Sequence, residues 1–167
     1  NTVDGIYGVN SSSFVEIFSN TNIGVVGRPV IDDNNVVYAF GKNNQIYALN
    51  KETVLWNVTV NNGVGSVMAI DNENGLLYSV DNNGTLFSYD IGNDGSSSEI
   101  DNIGTNATSI IVDGNGKVYV ADDKGSVWTF DNEKNMLWNI ELNESVTVPM
   151  AMDENGDPIA NLNLSTK

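Results

Sequence analysis

Short runs in which apolar and polar residues alternate, each closed by Asp, Asn or Gly, recur along the chain and predict strands rather than helices. Three of these runs fall into register: VVYAFGKNNQIYALN (Val36 to Asn50), LLYSVDNNGTLFSYD (Leu76 to Asp90) and KVYVADDKGSVWTFD (Lys117 to Asp131). Tyr38, Tyr78 and Tyr119 align, and nine residues after each stands a second aromatic, Tyr47, Phe87 and Trp128. Ahead of each tyrosine lies an apolar run ending in aspartate: PVID (Pro29 to Asp32), MAID (Met68 to Asp71) and IIVD (Ile110 to Asp113), with MAMD (Met150 to Asp153) opening a later copy. Asp at the first position of a tight turn accepts backbone hydrogen bonds, and the Asn and Gly that follow tolerate positive φ, so each run is a first strand followed by a hairpin.

The tyrosine strand is the second. Val36, Tyr38 and Phe40 point one way and Val37 and Ala39 the other, so it is apolar on both faces and must lie between neighbouring sheets. A turn (GKNN, DNNG or DDKG) leads into the third strand. Leu55-Trp56-Asn57-Val58 and Leu137-Trp138-Asn139-Ile140 match as a fourth, whereas the middle copy offers only the polar IGNDGSSSEIDNI, which predicts a blade without a proper outer strand. Pro29 and Pro149 are placed at the start of first strands, where a missing amide donor is tolerated.

Strand repeats about 40 residues long cannot each bury their own apolar face, and their stacking predicts four-stranded antiparallel sheets fanned about an axis. The expected fold is all-β: a single β-propeller-type domain of about four blades, either a closed small propeller or part of a larger one. Its units run approximately 1–26, 27–64, 65–106 and 107–146, with a partial copy at 147–163. In the first copy, IYGVNSSSFVEIF, Tyr7 is aligned with the strand-two tyrosines and Glu16 with the second aromatic. A four-bladed ring would close if Val148 to Met152 paired with that copy, whose own first strand is reduced to Thr2-Val3; a strand at Pro158 to Leu162 would then be left over, which points instead to a segment of a longer propeller or to a homo-oligomer that completes one.

Composition narrows the partners. Among 167 residues, 22 acids face 7 bases, for a formal net charge of −15, and Arg28 is the sole arginine. Such a surface repels nucleic acid and anionic headgroups, so neither nucleic acid nor membrane insertion is expected. Without cysteine or histidine, disulfides, thiolate nucleophiles and ordinary zinc sites are excluded. The first residue, Asn1, is neither a start methionine nor part of a signal-like segment, which suggests a portion of a larger precursor. Sequons at Asn10, Asn57, Asn83, Asn106, Asn143 and Asn163 suit an extracellular or cell-surface chain.

The succession of an apolar run and Asp, a tyrosine strand, Asp-x-x-Gly, an aromatic strand and a Trp-bearing outer strand resembles the repeat of pyrroloquinoline-quinone-like β-propellers, from about Ile6 to Ala160. The family's usual Gly before the fourth strand is replaced by Lys51-Glu52-Thr53 and by Asn132 to Asn135. The resemblance implies a fold shared by quinoprotein dehydrogenases, outer-membrane assembly lipoproteins and surface proteins, and so does not by itself imply an activity. Its enzymes carry adjacent cysteines beside a metal-bound quinone, and this chain has none. Asp123, Gly125 and Trp128 also match the Asp-box of sialidases, a structural hairpin; the arginine triad of such an enzyme cannot be assembled from Arg28 alone.

Turn carboxylates are the remaining candidates for chemistry. Asp71, Glu73, Asp113, Asp153, Glu154 and Asp157 are ligands of the kind calcium takes, and DENGD makes Asp153, Asn155 and Asp157 the first site to consider. Solvated hairpin turns are the simpler reading, and no dedicated calcium loop is present. The repeated aromatics are expected in the core rather than as a sugar platform. First strands, which line the axis of such folds, carry no charge except the flanking Arg28, so no catalytic pair is nominated. The expectation is a non-catalytic extracellular scaffold or adhesion module with a protein or cell-surface partner, presenting loops such as Asn57 to Gly65 and Ile140 to Val146. The alternative is a quinoprotein-like or sugar-binding fragment whose site is completed by blades outside this sequence.

Overall fold

The computed structural model describes residues 5–9, 12, 16–20, 23–51, 53–65, 67–104, 106–142 and 144–160. Every element among them is a strand. Three sheets are complete and antiparallel, each built from four consecutive strands. The first holds β3 (Val25–Ile31), β4 (Val37–Gly41), β5 (Gln45–Asn50) and β6 (Thr53–Thr59). The second holds β7 (Met68–Asp71), β8 (Leu76–Val80), β9 (Thr85–Asp90) and β10 (Ser96–Asn102), and the third β11 (Ala107–Val112), β12 (Val118–Asp122), β13 (Ser126–Phe130) and β14 (Met136–Glu141). A two-stranded sheet precedes them, β1 (Ile6–Val9) with β2 (Glu16–Asn20), and another follows, β15 (Ala151–Met152) with β16 (Pro158–Ile159).

The two-faced second strand behaves as its pattern predicts. Tyr38, Phe40, Ile46 and Ala48 of the first blade pack on Met68, Leu77 and Tyr89 of the second, while Val37, Ala39, Tyr47 and Leu49 pack on the other side against Ile6 and Ile23. Tyr78, Val80 and Leu86 of the second blade meet Ile110, Val118, Val120 and Phe130 of the third, whose Tyr119, Ala121 and Val127 in turn cover Val146 and Met150. Apolar burial between sheets, rather than within any one of them, is therefore the cohesive term.

Each first hairpin is built on its aspartate. Asp32 Oδ1 accepts the amides of Asn34 and Val36 at 2.9 and 2.8 Å, Asp113 those of Asn115 and Lys117 at 2.8 and 2.9 Å, and Asp153 those of Asn155 and Asp157 at 2.8 and 2.9 Å. The residue three beyond takes positive φ: Asn35 at 62°, Gly116 at 77° and Gly156 at 81°.

Four expectations are corrected. The middle blade does have an outer strand: β10 pairs along β9 with a bulge between Glu99 and Asp101, because an edge strand is held by backbone bonds and can carry polar side chains on its open face. Pro29 is not at the start of a strand but inside β3, in the irregular stretch between Val26 and Val30 where the ladder needs no amide from it.

Tyr7 is not a strand-two tyrosine. β1 pairs with β2 through Gly8↔Phe18 and Val9↔Glu16 with a register shift between them, the same step that β5 makes with β6 at Ala48↔Trp56 and Leu49↔Val54. Tyr7 therefore stands where Tyr47 stands, and β1 and β2 are the third and fourth strands of a blade. The spacing agrees, since Tyr7 precedes Tyr38 by 31 residues, as Tyr47 precedes Tyr78.

Finally, the sheets do not close into a four-bladed ring. β15 pairs with β16, as the first and second strands of a further blade, and not with the first copy. Pro158 is thereby accounted for as the start of a second strand; the suggested first strand at Thr2-Val3 and the continuation beyond Ala160 lie outside the described residues.

Candidate binding face

The two ends of the blades are constructed differently. At one end sit the turns between first and second strands, with those between third and fourth. At the other, each turn between second and third strands is bonded to the connections that enter and leave its blade: Lys42 N donates to Gly24 O at 2.7 Å and Val60 N to Asn44 O at 2.8 Å. In the second blade Asn82 N reaches Gly63 O at 3.3 Å and Ile103 N reaches Gly84 O at 2.9 Å; in the third, Asp123 N reaches Asn106 O at 3.2 Å and Leu142 N reaches Gly125 O at 2.8 Å. Loops tied in this way form a stiff surface. Close approach enforces two glycines here, since a Cβ on Gly65 would lie 2.0 Å from Val80 O and one on Gly125 2.1 Å from Glu144 O.

Two buried carboxylates support this end. Asp81 Oδ1 accepts the amides of Asn83 and Thr85, both at 2.9 Å, and its Oδ2 accepts Asn62 Nδ2 at 2.9 Å from the incoming loop. Asp122 Oδ1 accepts the amides of Lys124 and Ser126 at 3.0 and 2.6 Å. Neither was singled out from the sequence, although the DNNG and DDKG repeats carried the signal. In the Asp-box match it is thus Asp122, one residue before Asp123, that organises the turn, and Trp128 packs between the second and third blades.

The exposed part of this end is rich in amides: Asn43, Asn44, Asn61, Asn62, Asn82, Asn83 and Asn106 are all exposed. Across the first three blades it holds a groove of about 440 Å³ lined by Lys42, Asn44, Asp81, Asn82 and Asn106. Each amide is both donor and acceptor, which suits hydroxyl-bearing and peptide-backbone ligands. The expected loop boundaries shift slightly, because 57–59 belong to β6 and 140–141 to β14.

Along the inner strands lies a second cavity, of about 470 Å³, bordered by Arg28, Met68, Thr108, Ser109, Ile110 and Thr147. Ser109 Oγ is occupied there, accepting the amide of Met150 at 2.9 Å. Among the described residues this lining offers one arginine and no carboxylate, which does not fit a metal-bound polyanionic quinone, whose cation needs oxygen ligands and whose acid groups need several cations.

Asp153, Asn155 and Asp157 lie together in the hairpin between β15 and β16, but both oxygens of the Asp153 carboxylate serve the turn. Asp153 Oδ1 takes two amides and its Oδ2 takes Asn155 Nδ2 at 3.2 Å. Those bonds, with the backbone amide of Asp157 foremost, hold the Asp153 carboxyl below its usual range. Asp71 likewise binds Asn74 N and Nδ2 at 3.0 and 2.8 Å, and Asp113 serves its own turn. Among the described residues, no three His, Cys, Asp or Glu side chains converge on one point.

The aromatics are where packing requires them. Tyr38, Tyr78, Tyr119 and Tyr47 are buried and Phe87 and Trp128 partly so. Trp56 stacks obliquely on Tyr38 with ring centres 5.7 Å apart, and Trp138 on Tyr119 at 6.4 Å. Of the sequons, Asn57, Asn83 and Asn106 are exposed, and Asn10, Asn143 and Asn163 lie outside the described residues.

Residues 19–98, the first blade and almost all of the second, match the family described as outer membrane protein assembly factor BamB, a pyrroloquinoline-quinone-like repeat. No curated protein matches the chain significantly.

Proposed function

For a chain that carries the pyrroloquinoline-quinone-like β-propeller repeat, we propose a role as a non-catalytic interaction module at the cell surface or outside the cell. The observation that carries this reading is the amide-rich loop end with its groove at Lys42, Asn44, Asp81, Asn82 and Asn106. Such a face offers directional hydrogen bonds on a stiff support, which is what adhesion to a protein or glycan surface requires. The axial cavity supports the non-catalytic part, since among the described residues its border holds Arg28 and hydroxyls but no acid to pair with a base. A net charge of −15 keeps copies apart in a crowded envelope, and the exposed sequons are compatible with an extracellular address.

The test uses isolated cell envelopes of the producing organism and the labelled chain. Retention by envelopes, lost in Asn82→Arg and Asn106→Arg variants of unchanged melting temperature, supports the proposal. Equal retention of variants and parent would remove the groove from it. Quinone-dependent oxidation of an alcohol or sugar by the reconstituted chain would replace it with the enzymatic alternative.

A further inference from the structure

Asn-Gly occurs five times in the chain, at Asn62, Asn74, Asn83, Asn115 and Asn155. Asparagine is a thermolabile residue, and a following glycine has no side chain to hinder its own amide nitrogen from reaching the asparagine Cγ. That attack needs a glycine amide free to turn and to give up its proton. In four of the pairs the amide is engaged. Gly63 N donates to Val60 O at 3.0 Å, and the amides of Gly84, Gly116 and Gly156 donate to the carbonyls of Asp81, Asp113 and Asp153, each at 3.1 Å. The amide of Gly75 donates to no group among the described residues.

The length of the turn is the cause. In the hairpins of Asp32, Asp113 and Asp153 the third residue after the aspartate closes the turn by donating its amide to the aspartate carbonyl. After Asp71 that place is held by Asn74, whose amide goes to the carboxylate instead, to Asp71 Oδ1 at 3.0 Å, and Gly75 follows as a fourth residue with φ 65°. Asn74 is exposed, so water and hydroxide can reach it. Its side chain also separates two groups that are joined in the other blades: Asn74 Nδ2 donates to Asp71 Oδ2 at 2.8 Å, and Tyr78, 1 % exposed, has no partner for its hydroxyl among the described residues. Gly116 of the third blade closes over the pair, where a Cβ would lie 2.8 Å from Asn74 Nδ2 and 3.2 Å from Asp71 Oδ2.

We infer that Asn74 is the residue at which the folded chain deamidates first, and that the reaction hands Asp71 Oδ2 to Tyr78. Gly75 N loses its proton to hydroxide and forms a bond to Asn74 Cγ. The bond from Cγ to Nδ2 breaks, and the nitrogen leaves as ammonia with a proton drawn from water, which restores the hydroxide. One water then adds to either carbonyl of the resulting succinimide and opens it to aspartate or isoaspartate; nothing is oxidised or reduced. The product carries a carboxylate where a donor stood. Two like charges are held apart under Gly116 only at a cost, so the new one turns to solvent, and Asp71 Oδ2 accepts the Tyr78 hydroxyl as Asp32 accepts that of Tyr38.

The folded chain, held in mildly alkaline buffer, is mapped by proteolysis and mass spectrometry, with labelling by isoaspartyl methyltransferase as a second readout. Conversion at Asn74 should appear several-fold sooner than at Asn62, Asn83, Asn115 or Asn155, whereas in urea all five should convert at similar rates. Another pair leading in the folded chain, or a folded pattern equal to that in urea, overturns the proposal. The hand-over is read separately in an Asn74→Asp background. There Tyr78→Phe should lower the urea midpoint, which it should not do in the parent; equal effects in the two backgrounds overturn it.

Discussion

Tyr38 donates its phenolic hydrogen to Asp32 Oδ2 at 3.1 Å, closing a buried link between the middle of a blade and the turn that starts it. Tyr119 makes the same bond to Asp113 at 3.3 Å. Tyr78 does not, and its hydroxyl is buried with no partner among the described residues. The cause is local: the turn from Asp71 is one residue longer, and Asn74 takes the carboxylate oxygen that the tyrosine would use.

This contrast predicts opposite responses to the same substitution. Tyr38→Phe removes a hydrogen bond and leaves an acceptor buried, and should destabilise by about 1–2 kcal/mol. Tyr78→Phe removes an unsatisfied hydroxyl and should be neutral or stabilising. Urea denaturation of both variants checks the pair, and a larger loss for Tyr78→Phe would contradict the bonding described.

Glycine substitutions should separate blade contact from turn flexibility. Gly95 has φ 72° and no room beside Trp56 and Val58, so Gly95→Ala should cost about 3 kcal/mol through left-handed strain and overpacking. Gly114 meets nothing within 4 Å, and Gly114→Ala should leave stability unchanged or raise it by about 0.5 kcal/mol through the unfolded chain. Thermal melts of the two variants should move in opposite directions or differ by several degrees.

Alkaline conditions should weaken the fold through its tyrosines. Burial, reinforced by Asp71, pushes Tyr78 up to about 12, and burial also raises Tyr38, Tyr89 and Tyr119 above the ordinary value of 10.0. A folded pKa above the unfolded one means that the folded chain keeps protons which the unfolded chain has lost. The stabilisation is fully present below pH 10.0 and disappears as pH rises toward 12. Absorbance at the phenolate band, followed with circular dichroism, should show these tyrosines ionising together with unfolding rather than before it.

On the acid side, Asp131 and Asp153 are held below the ordinary 3.8, chiefly by the backbone amides of Asn135 and Asp157. Their contribution is present above that value and fades as pH falls through the lowered pKa. Because the Asp153 oxygens already serve the turn, millimolar calcium should not shift the melting temperature. Asp153→Ala should loosen the hairpin between β15 and β16 equally with calcium or chelator, as hydrogen exchange of the amides of Asn155 and Asp157 would show.

Periodicity and turn chemistry determined much of this protein in advance. Apolar residues on both faces of the Tyr38, Tyr78 and Tyr119 strands require sheets on either side, and aspartate before Asn or Gly requires a hairpin, because both are local demands of backbone and burial. Strand position within a blade was not local. Whether Tyr7 sits on a second or a third strand depends on the partner across the ladder, and only the bulge shared by Gly8/Val9 and Ala48/Leu49 decided it. The outer strand of the middle blade is hidden in the sequence for a related reason: β10 is held by backbone bonds to β9, which leave little trace in side-chain polarity. The loop face was hidden as well, since Asn44, Asn82 and Asn106 are far apart in the chain and meet only when consecutive blades stack.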